Sequence, residues 1–360
     1  MSFMRQCKLG DVLKFGNGKV RPSSEGAIPI YGGNGILGYG GAKNYDGETI
    51  VVGRVGAYCG ASYYENRPIW VSDNALSAKA KNGYSAKYLY YLLRNTDLNQ
   101  HAEGSSHPLV TQTLLNVVDA EVVSDPDEQK VIASVLTSLD DKIDLLYRQN
   151  KTLESMSETL FRQWFVEDAQ EGWDERPLSG IANFLNGLAC QKYPPANDLE
   201  KLPVLKIREL SSGISETADW ATSHVKPGYI VEAGDVIFAW SASLMVKVWD
   251  GEKCVLNQHL FKVTSNQFPK WFYLRWCKHH LAEFIAVAAS HATTMGHIKR
   301  GDLDTAMVLV PPPPVLETMS KQMQPLLDKQ IAIARQRKTL EKLRDTLLPK
   351  LMSGEVRVAC

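Results

Sequence analysis

The chain has 360 residues, with 40 lysines and arginines against 40 aspartates and glutamates, so its formal net charge is zero. At roughly 150 residues per domain, this length suggests about two domains, each large enough for its own hydrophobic core. The composition, with 44% hydrophobic and 22% charged residues, excludes a collagen-like, wholly disordered or disulfide-stapled protein. Zero net charge argues against nonspecific nucleic-acid binding over the whole surface but allows a local basic groove.

No apolar run approaches the ~18 residues of a membrane span, and the N-terminus carries no apolar signal segment, so we expect no membrane partner. The six cysteines form no C-x-x-C pair and no zinc-finger spacing. Scattered single thiols favour a reducing cytoplasm, which is the predicted location. Cys277, His279 and His280 are close in sequence, but helical residues two apart point to different faces, so we predict no metal site.

Residues 1–125 are interpreted as a mixed α/β domain. The runs at 28–31, 47–53 and 69–73 are rich in β-formers between Gly, Asn and Asp turns, and predict strands. The stretch AKYLYYLLRN at 86–95 predicts a helix. Residues 33–38 fit G-x-G-x-x-G, but turn and strand residues follow where a dinucleotide fold needs a helix, so no dinucleotide cofactor is expected.

A long helical region is predicted for residues 126–170. Asp125, Pro126 and Asp127 supply a helix start. Apolar residues then recur at alternating spacings of four and three, the seam of a coiled coil in which a polar Asn fixes the register. This seam includes Leu139, Ile143, Leu146, Asn150 and Leu153.

Residues 171–310 repeat the character of the first domain. The runs at 202–210, 234–240, 244–249 and 254–263 predict strands. The stretch PKWFYLRWCKHHLAEFI at 269–285 predicts a helix. The stretch LSGIANFLNG at 178–187 also resembles LGDVLKFGNG at 9–18.

A second helical region, 311–360, completes an internal repeat. QNKTLE at 149–154 recurs as QRKTLE at 336–341, an offset of 187 residues, and further identities follow at that offset without a gap. The prolines at 311–314 predict a stiff extended lead-in. The second seam includes Leu326, Ile333, Leu340 and Leu347. Two amphipathic helices packed on their own domains are the alternative to a coiled coil.

The sequence offers no catalytic centre: it has no P-loop, no nucleophile elbow and no methyltransferase loop in the required residue order. The sequence does contain residues that are suited to binding. Arg54 lies between glycines in GRVG, where an arginine can bond a guanine edge, although a structural salt bridge is equally consistent. The hydroxyl-rich loops at 104–113 and 290–300 suit phosphate and base contacts, with ordinary polar loops as the alternative. The candidate DNA-binding residues are Asn34, Arg54, Ser106, His107, Arg208, Thr293, Thr294, Lys299 and Arg300.

The pattern resembles a known family, the specificity (S) subunits of type I restriction–modification enzymes. The resemblance covers nearly the whole chain and is carried by IPIYGGNGILGY, GRVGAYCG, the GSSHPLV loop, DPDEQKVIASVLTSLDDKI and the second-copy LVPPPPVLETM with QRKTLEKLRDTLLPKL. The last two are the most specific, because a strand, proline and helix followed by a KTLE coiled coil occur twice in register. The second copy departs in having Val315 and Leu316 where the first has Glu and Gln after the proline.

The resemblance implies an α+β protein with two target-recognition domains, 1–125 and 171–310, separated by two long helices that form an antiparallel coiled coil with a pseudo-two-fold repeat. It implies a noncatalytic subunit that reads a bipartite site on double-stranded DNA. Two methylation subunits would dock on the helices, and restriction subunits would join through the complex. The chain itself would hold no cofactor, since S-adenosylmethionine, ATP and Mg are expected on the partner subunits.

Two other functions stay open from the sequence. A coiled-coil scaffold that binds only proteins would show no sequence-dependent DNA affinity, even with its partners present. A stand-alone DNA-binding regulator would bind its site specifically without them. The sequence also favours modular specificity, because the two domains share a scaffold while their loops have diverged.

Overall fold

The computed structural model describes residues 3–104, 108–290 and 296–358. The chain forms two compact units: unit 1 comprises residues 1–142 and 340–360, and unit 2 comprises residues 143–339. Both boundaries fall inside long helices. The finer division into segments 1–125, 126–170, 171–310 and 311–360 therefore stays a prediction, because each long helix contributes residues to both units.

Unit 1 is a mixed helix and strand domain followed by the start of a long helix. Its strands are β1 Met4–Lys8, β2 Leu13–Asn17, β3 Ile28–Gly32, β4 Gly35–Gly40, β5 Thr49–Gly53, β6 Ser62–Glu65, β7 Trp70–Val71, β8 Ala75–Ala80 and β9 Asp119–Val123. Its short helices are α1 Leu9–Val12, α2 Ala86–Asn95 and α3 Gln112–Val117. The long helix α4 spans Pro126–Arg162 and continues as a π-helical turn, Gln163–Glu167, so that it ends in unit 2.

Two sheets and one strand pair build the domain of unit 1. A four-stranded antiparallel sheet has the order β2-β8-β5-β6, and a three-stranded sheet has the order β4-β3-β7, with β3 and β7 parallel. Strands β1 and β9 pair antiparallel. Helix α2 covers the larger sheet, because Tyr88 and Leu89 lie in one buried cluster with Ile50 of β5 and with Ile132 and Leu136 of α4.

Unit 2 repeats this plan. Its strands are β10 Asp174–Pro177, β11 Asn183–Asn186, β12 Lys201–Leu205, β13 Trp220–Thr222, β14 Ile230–Val231, β15 Val236–Ala239, β16 Met245–Val248, β17 Cys254–Leu256, β18 Leu260–Thr264 and β19 Met307–Val310. Its helices are α5 Leu178–Ile181, α6 Ile207–Ser212, α7 Lys270–His279, α8 Leu281–Ser290, α9 Arg300–Thr305 and the start of α10 Pro313–Met352.

The sheets of unit 2 follow the order already seen in unit 1. The larger antiparallel sheet is β11-β18-β15-β16, the smaller is β13-β12-β17-β14 with β12 and β17 parallel, and β10 pairs with β19. The buried face of α7, with Phe272 and Trp276, packs in one cluster with Phe238 and Phe261 of the larger sheet. The larger sheets therefore share one strand order, whereas the smaller sheet has an additional fourth strand, β14, in unit 2.

Three strand and helix predictions hold only in part. The run at 202–210 is a strand only to Leu205, and residues 207–212 form helix α6. The run at 254–263 is broken at Asn257, where the Leu260 N–H donates to the Asn257 carbonyl at 3.0 Å and closes a turn. The helix predicted at 269–285 is two helices that meet at His280. The sequence predicted an apolar run correctly in all three places, but a local break in the backbone divides each run into two elements.

The proline lead-in is shorter than predicted. Only Pro311 and Pro312 precede α10, whereas Pro313 and Pro314 form its first turn. Proline is well tolerated there because the first helical N–H groups have no intrahelical acceptor and the ring presets a helical φ. At the other end Gly354 has φ +73° just beyond the helix, a conformation that favours glycine.

The residues of both predicted seams are all buried or partly buried, whereas Tyr147 and Met156, off the seam of α4, are 58% and 48% exposed. Asn150 is partly buried, and its Oδ1 has no hydrogen-bond partner among the described residues. The first turns of the long helices also join the domain cores, because Ile132 of α4 lies in the core cluster of unit 1 and Met319 of α10 in that of unit 2. Each long helix thus packs on a domain as well as presenting a seam.

Candidate nucleic-acid interface

In unit 1, backbone hydrogen bonds hold several loops together at the end of strand β5. The Arg54 N–H donates to the Asn74 carbonyl at 3.0 Å, and the Arg54 carbonyl accepts from the Val110 N–H at 2.9 Å. The Gly56 N–H donates to the Pro108 carbonyl at 3.1 Å. We call the residues gathered here, 33–34, 54–58, 73–74 and 108–110, the first loop cluster.

Arg54 has an incompletely satisfied side chain in this cluster. Its Nη1 lies 3.5 Å from the Asp73 carbonyl oxygen, a long contact, and its buried Nε has no partner among the described residues. No carboxylate pairs with the guanidinium among the described residues, so the salt-bridge alternative gains no support there. An arginine held by its backbone with unused donors is suited to bind an external acceptor.

Asn34 joins the same cluster from a distant strand pair. It is the exposed residue of the two-residue turn Gly33–Asn34 between β3 and β4, and its Oδ1 lies 3.5 Å from the Tyr63 hydroxyl. A Cβ built on Gly53 would lie 2.7 Å from the Gly33 carbonyl oxygen and 2.3 Å from that of Tyr58. Gly53 therefore lets this turn approach the end of β5, so the turn that carries Asn34 lies against the strand end that Arg54 follows.

The remaining candidates of the first domain, Ser106 and His107, lie outside the described residues. The chain on either side of them belongs to the cluster, since Glu103 and Leu109 form a β-bridge and Leu109 also bridges to Val55. Tyr58, exposed in the short helical turn at 56–58, adds an aromatic hydroxyl to the same end of the domain.

Unit 2 builds an equivalent arrangement where strand β15 ends. The Trp240 carbonyl accepts from the Ile298 N–H at 3.0 Å, and Ser241 forms a β-bridge with His297. The Trp240 N–H points to the His259 carbonyl at 3.4 Å. We call residues 186, 240–242, 257–259 and 296–298 the second loop cluster. Trp240 occupies the place of Arg54, because both residues directly follow the central strand of the larger sheet.

The side chains of the second loop cluster form a connected polar and aromatic group. The Trp240 indole N–H donates to Asn186 Oδ1 at 3.2 Å, and its ring stacks on Phe261 with centroids 5.6 Å apart. His259 Nδ1 lies 3.2 Å from the Ser241 hydroxyl, and its Nε2 lies 3.4 Å from Gln258 Nε2. Amide, imidazole and indole groups of this kind can read base edges or stack on nucleotides.

Sequence reasoning missed this second group. Asn186, Trp240, Gln258 and His259 are all absent from the candidates chosen from the sequence. The repeat of 47–53 at 234–240 pointed to this strand end, but its offset of 187 residues places Trp240 opposite Gly53. Only the strand register, in which Ala239 takes the place of Gly53, pairs Trp240 with Arg54 and His259 with Asn74.

The other basic candidates have varied surroundings. The Arg208 side chain is 61% exposed, but its guanidinium binds Glu209 at 2.7 Å and the Thr217 carbonyl at 3.3 Å, so its contacts lie outside the second loop cluster. Lys299 and Arg300 follow Ile298 directly, and Arg300 Nη2 lies 3.5 Å from the Phe184 carbonyl oxygen. Thr293 and Thr294 lie outside the described residues.

The thiols and acidic groups of the described residues form neither disulfides nor a metal-binding group. All described cysteines are free, and burial raises the pKa of each above its ordinary value, so the thiols stay protonated and weakly nucleophilic; they are Cys7, Cys59, Cys190, Cys254 and Cys277. Within the described ranges, no three His, Cys, Asp or Glu side chains are grouped to hold a metal ion. Over the same ranges, no helix combines the length and apolar character needed to cross a membrane.

Comparison with known proteins identifies the arrangement. Residues 2–155 and 170–342 each match the family model described as "Type I restriction modification DNA specificity domain". The specificity subunit of type I restriction enzyme MjaIX from Methanocaldococcus jannaschii is 26% identical over 320 residues, covering 81% of this chain and 74% of that protein. The EcoprrI specificity subunit from Escherichia coli is 29% identical over 140 residues, covering 37% of this chain and 35% of that protein.

A solved structure shares the fold. The crystal structure of the S subunit of a type I restriction-modification system from M. genitalium superposes with a TM-score of 0.69 at 15% sequence identity. The match covers 97% of this chain and 96% of that chain.

Proposed function

Because this chain belongs to the family of type I restriction modification DNA specificity domains, we propose that it reads a bipartite double-stranded DNA target and docks methylation subunits. The chain is a DNA-specificity component and not an enzyme, as its matched relatives are named specificity subunits. Each domain would read one half of the target through its loop cluster.

One observation carries this proposal: the larger sheet has the same strand order in both domains, whereas the residues that follow its central strand differ. Arg54 and Trp240 hold the same backbone position after the central strand, and each accepts one N–H from the loop that returns to it. A common backbone with different side chains suits two domains that read different base sequences. The shared backbone places each loop cluster in the same way, while the side chains that contact bases determine which sequence is bound. The Arg54 guanidinium is partly exposed and has no carboxylate partner among the described residues, so its terminal nitrogens can make such a contact, whereas its Nε is buried.

We propose that α4 and α10 form an antiparallel coiled coil. In unit 1, Asp140 pairs with Arg344, and Glu128, earlier on α4, pairs with Arg357, beyond the end of α10. A residue nearer the start of α4 therefore pairs with a residue nearer the end of α10 or beyond it, as antiparallel helices require.

The pairing in unit 2 runs in the same sense. Gln330 donates to Glu154 at 3.2 Å, while Trp271 contacts Trp164 and also donates to Ser320 at 3.0 Å. Ten residues forward on α4, from 154 to 164, correspond to ten residues backward on α10, from 330 to 320. A repeated sequence paired antiparallel would have a pseudo-two-fold axis, which suits two identical partners.

Two methylation subunits would therefore dock on the helices, and restriction subunits would join through them. S-adenosylmethionine, ATP and Mg would be bound by those partners. The partners would also supply phosphate affinity that a chain of zero net charge lacks. The free cysteines are consistent with action in the cytoplasm.

The decisive experiment maps N6-methyladenine in DNA from cells carrying this chain together with its methylation subunit. We expect methylation at two short specific sequences separated by an unread spacer, and none when this chain is omitted. A contiguous target would contradict the two-reader proposal. Sequence-specific binding by the chain alone would favour a stand-alone regulator, and absence of any sequence-dependent affinity in the assembled complex would favour a protein-binding scaffold.

A further inference from the structure

In unit 1, one carboxylate of the long helix α4 joins three elements. Asp140 Oδ2 accepts from Arg94 Nη1 at 2.8 Å and from the Tyr91 hydroxyl at 2.9 Å, both on α2. Its Oδ1 accepts from Arg344 Nη1, on α10, at 2.9 Å. Asp140 therefore binds the domain helix with one oxygen and the second long helix with the other.

In unit 2, Glu154 of α4 has the same role with other partners. Its two oxygens accept from Arg275 Nη1 and Nη2, each at 2.9 Å, and from Lys278 Nζ at 2.7 Å, all on α7. Gln330 of α10 donates to Oε2 at 3.2 Å. Burial by itself raises the pKa of the Glu154 carboxyl, but Lys278 and Arg275 outweigh this and hold that pKa below its usual range.

Both domain helices lie between a sheet and the long helices. Helix α2 buries Tyr88 and Leu89 with the larger sheet of its unit, and α7 buries Phe272 and Trp276 with the sheet of its own. Apolar packing of this kind is strong but non-directional, so it leaves small rotations of a domain on the helices inexpensive.

The ion pairs of Asp140 and Glu154 constrain the orientation of a domain more than they stabilise its fold. Arg275 is 5% exposed, so the free energy of bringing its charge out of water offsets much of the attraction to Glu154. A bidentate Arg–carboxylate pair nevertheless constrains distance and angle together. The contacts are therefore suited to orient a domain rather than to hold it folded.

We propose that Asp140 and Glu154 are positioning residues that set the angle at which each DNA-reading domain is held on the long helices. They touch no DNA in this scheme. They act through Arg94 and Arg275. They therefore decide how strongly each domain prefers a half-site at one fixed distance from the other half-site. This inference rests on the proposed function.

The test uses the full chain assembled with its methylation subunit and DNAs that keep both mapped half-sites while varying the spacer by one base pair. One base pair displaces a half-site by about 3.4 Å. The double variant Glu154→Leu with Arg275→Met replaces the buried Arg–carboxylate pair by apolar groups of similar size, which buried pairs often tolerate without loss of stability. The second cationic partner, Lys278, is 28% exposed and keeps its charge near water. We expect its preference for the native spacer to fall ~10-fold, a smaller loss than the ~100-fold that a misplacement of about an ångström can cost at a catalytic site.

Controls separate positioning from folding. Glu158→Gln changes an exposed carboxylate one turn further along α4 and should leave spacer preference unchanged. Lys278→Met removes one donor but leaves the Arg275 pair in place, and should give a smaller loss of spacer preference. Asp140→Leu with Arg94→Met should relax spacer preference through the first domain in the same way.

Two outcomes would overturn the inference. One is a folded double variant with native spacer preference, and the other is a uniform loss of methylation at every spacer, which marks a merely structural pair. Base preference within each half-site should remain native in every variant. Failure of the proposed function would look different, because the wild-type complex itself would then show no bipartite target.

Discussion

The two loop clusters hold the same backbone position with different chemistry. The first presents Arg54, a cation with unused donors, beside the turn at Asn34. The second presents Trp240 within a group of neutral amide and imidazole side chains, including Gln258 and His259. The difference shows that backbone hydrogen bonds define this end of the domain, whereas the side chains can change without disturbing the sheet.

The strand ends beneath the clusters differ as well. Gly53 and Ala239 are the last residues of β5 and β15, paired with Ala75 and Leu260 of the adjacent strand. Gly53 must lack a Cβ, because the Gly33 turn and the Tyr58 carbonyl press against it. At Ala239 a methyl group is present and fully buried. The first cluster is thus the more tightly closed of the two.

The largest expected effect is an exchange of one cluster with its whole domain. Replacing residues 1–125 with the corresponding domain of a relative should change one half of the methylated target completely and leave the other half unchanged. The reason is that each cluster is formed within its own unit. Methylation mapping measures the result, and a change in both halves together would show that the clusters do not read independently.

Gly53→Ala tests the closed packing of the first cluster. The new methyl would lie 2.3 Å from the Tyr58 carbonyl oxygen, so the backbone must shift. We expect a loss of roughly 1–3 kcal/mol in unfolding free energy, as for other overpacked sites, with weakened reading of one half-site. Denaturant unfolding measures the first effect and target mapping the second.

The matched control is at the equivalent strand end of unit 2. Ala239→Gly removes a methyl without creating a clash, and should cost ~0.5–1 kcal/mol through backbone entropy and about 0.8 kcal/mol more for the lost buried methyl group. Target reading should stay native in this variant, and an equal loss of target reading in the two variants would contradict the difference in packing between the clusters.

Arg54→Ala tests the chemical contrast. If its free donors make a bidentate base contact, specific affinity should fall by roughly 1–3 kcal/mol for the half-site of the first domain only. Gln258→Ala is the counterpart in the second cluster and should affect the other half-site. Binding titrations with DNAs altered in one half distinguish the two, and an equal loss on every DNA would identify Arg54 as a phosphate contact instead.

The smallest expected effect concerns how unit 2 holds Glu154. Its pKa lies below the ordinary value of 4.5, so the ionised form is favoured on folding. The resulting stability is complete above pH 4.5 and is lost as the pH falls through the folded pKa. Because the side chain is 36% exposed, we expect Glu154→Gln to lower Tm by only about 2–4 °C at pH 7. This difference should shrink at acid pH, and a constant difference would contradict the ion-pair explanation.

Local patterns predicted much of the fold. The helix at 86–95 has the predicted bounds, the strands at 28–32 and 49–53 lie in predicted runs, and both long helices lie in their predicted regions. These elements depend on periodicity and end signals that a short stretch of chain already contains. The break at Asn257 was missed because a turn inside an apolar run has only a weak local signature.

The amino-acid sequence alone determined the repeat, the heptad seams, the family resemblance and the choice of Arg54 and Asn34 as candidates. Only the tertiary structure decided that the turn carrying Asn34 lies against the strand end before Arg54, and that Trp240, Asn186 and His259 form a second cluster. The physical reason is that each cluster is closed by contacts between residues far apart in the chain, such as Trp240 with Asn186 and Gly53 with Gly33. Spacing along the chain records which residues can bind, but sheet pairing and glycine-permitted close approach decide which of them share a surface.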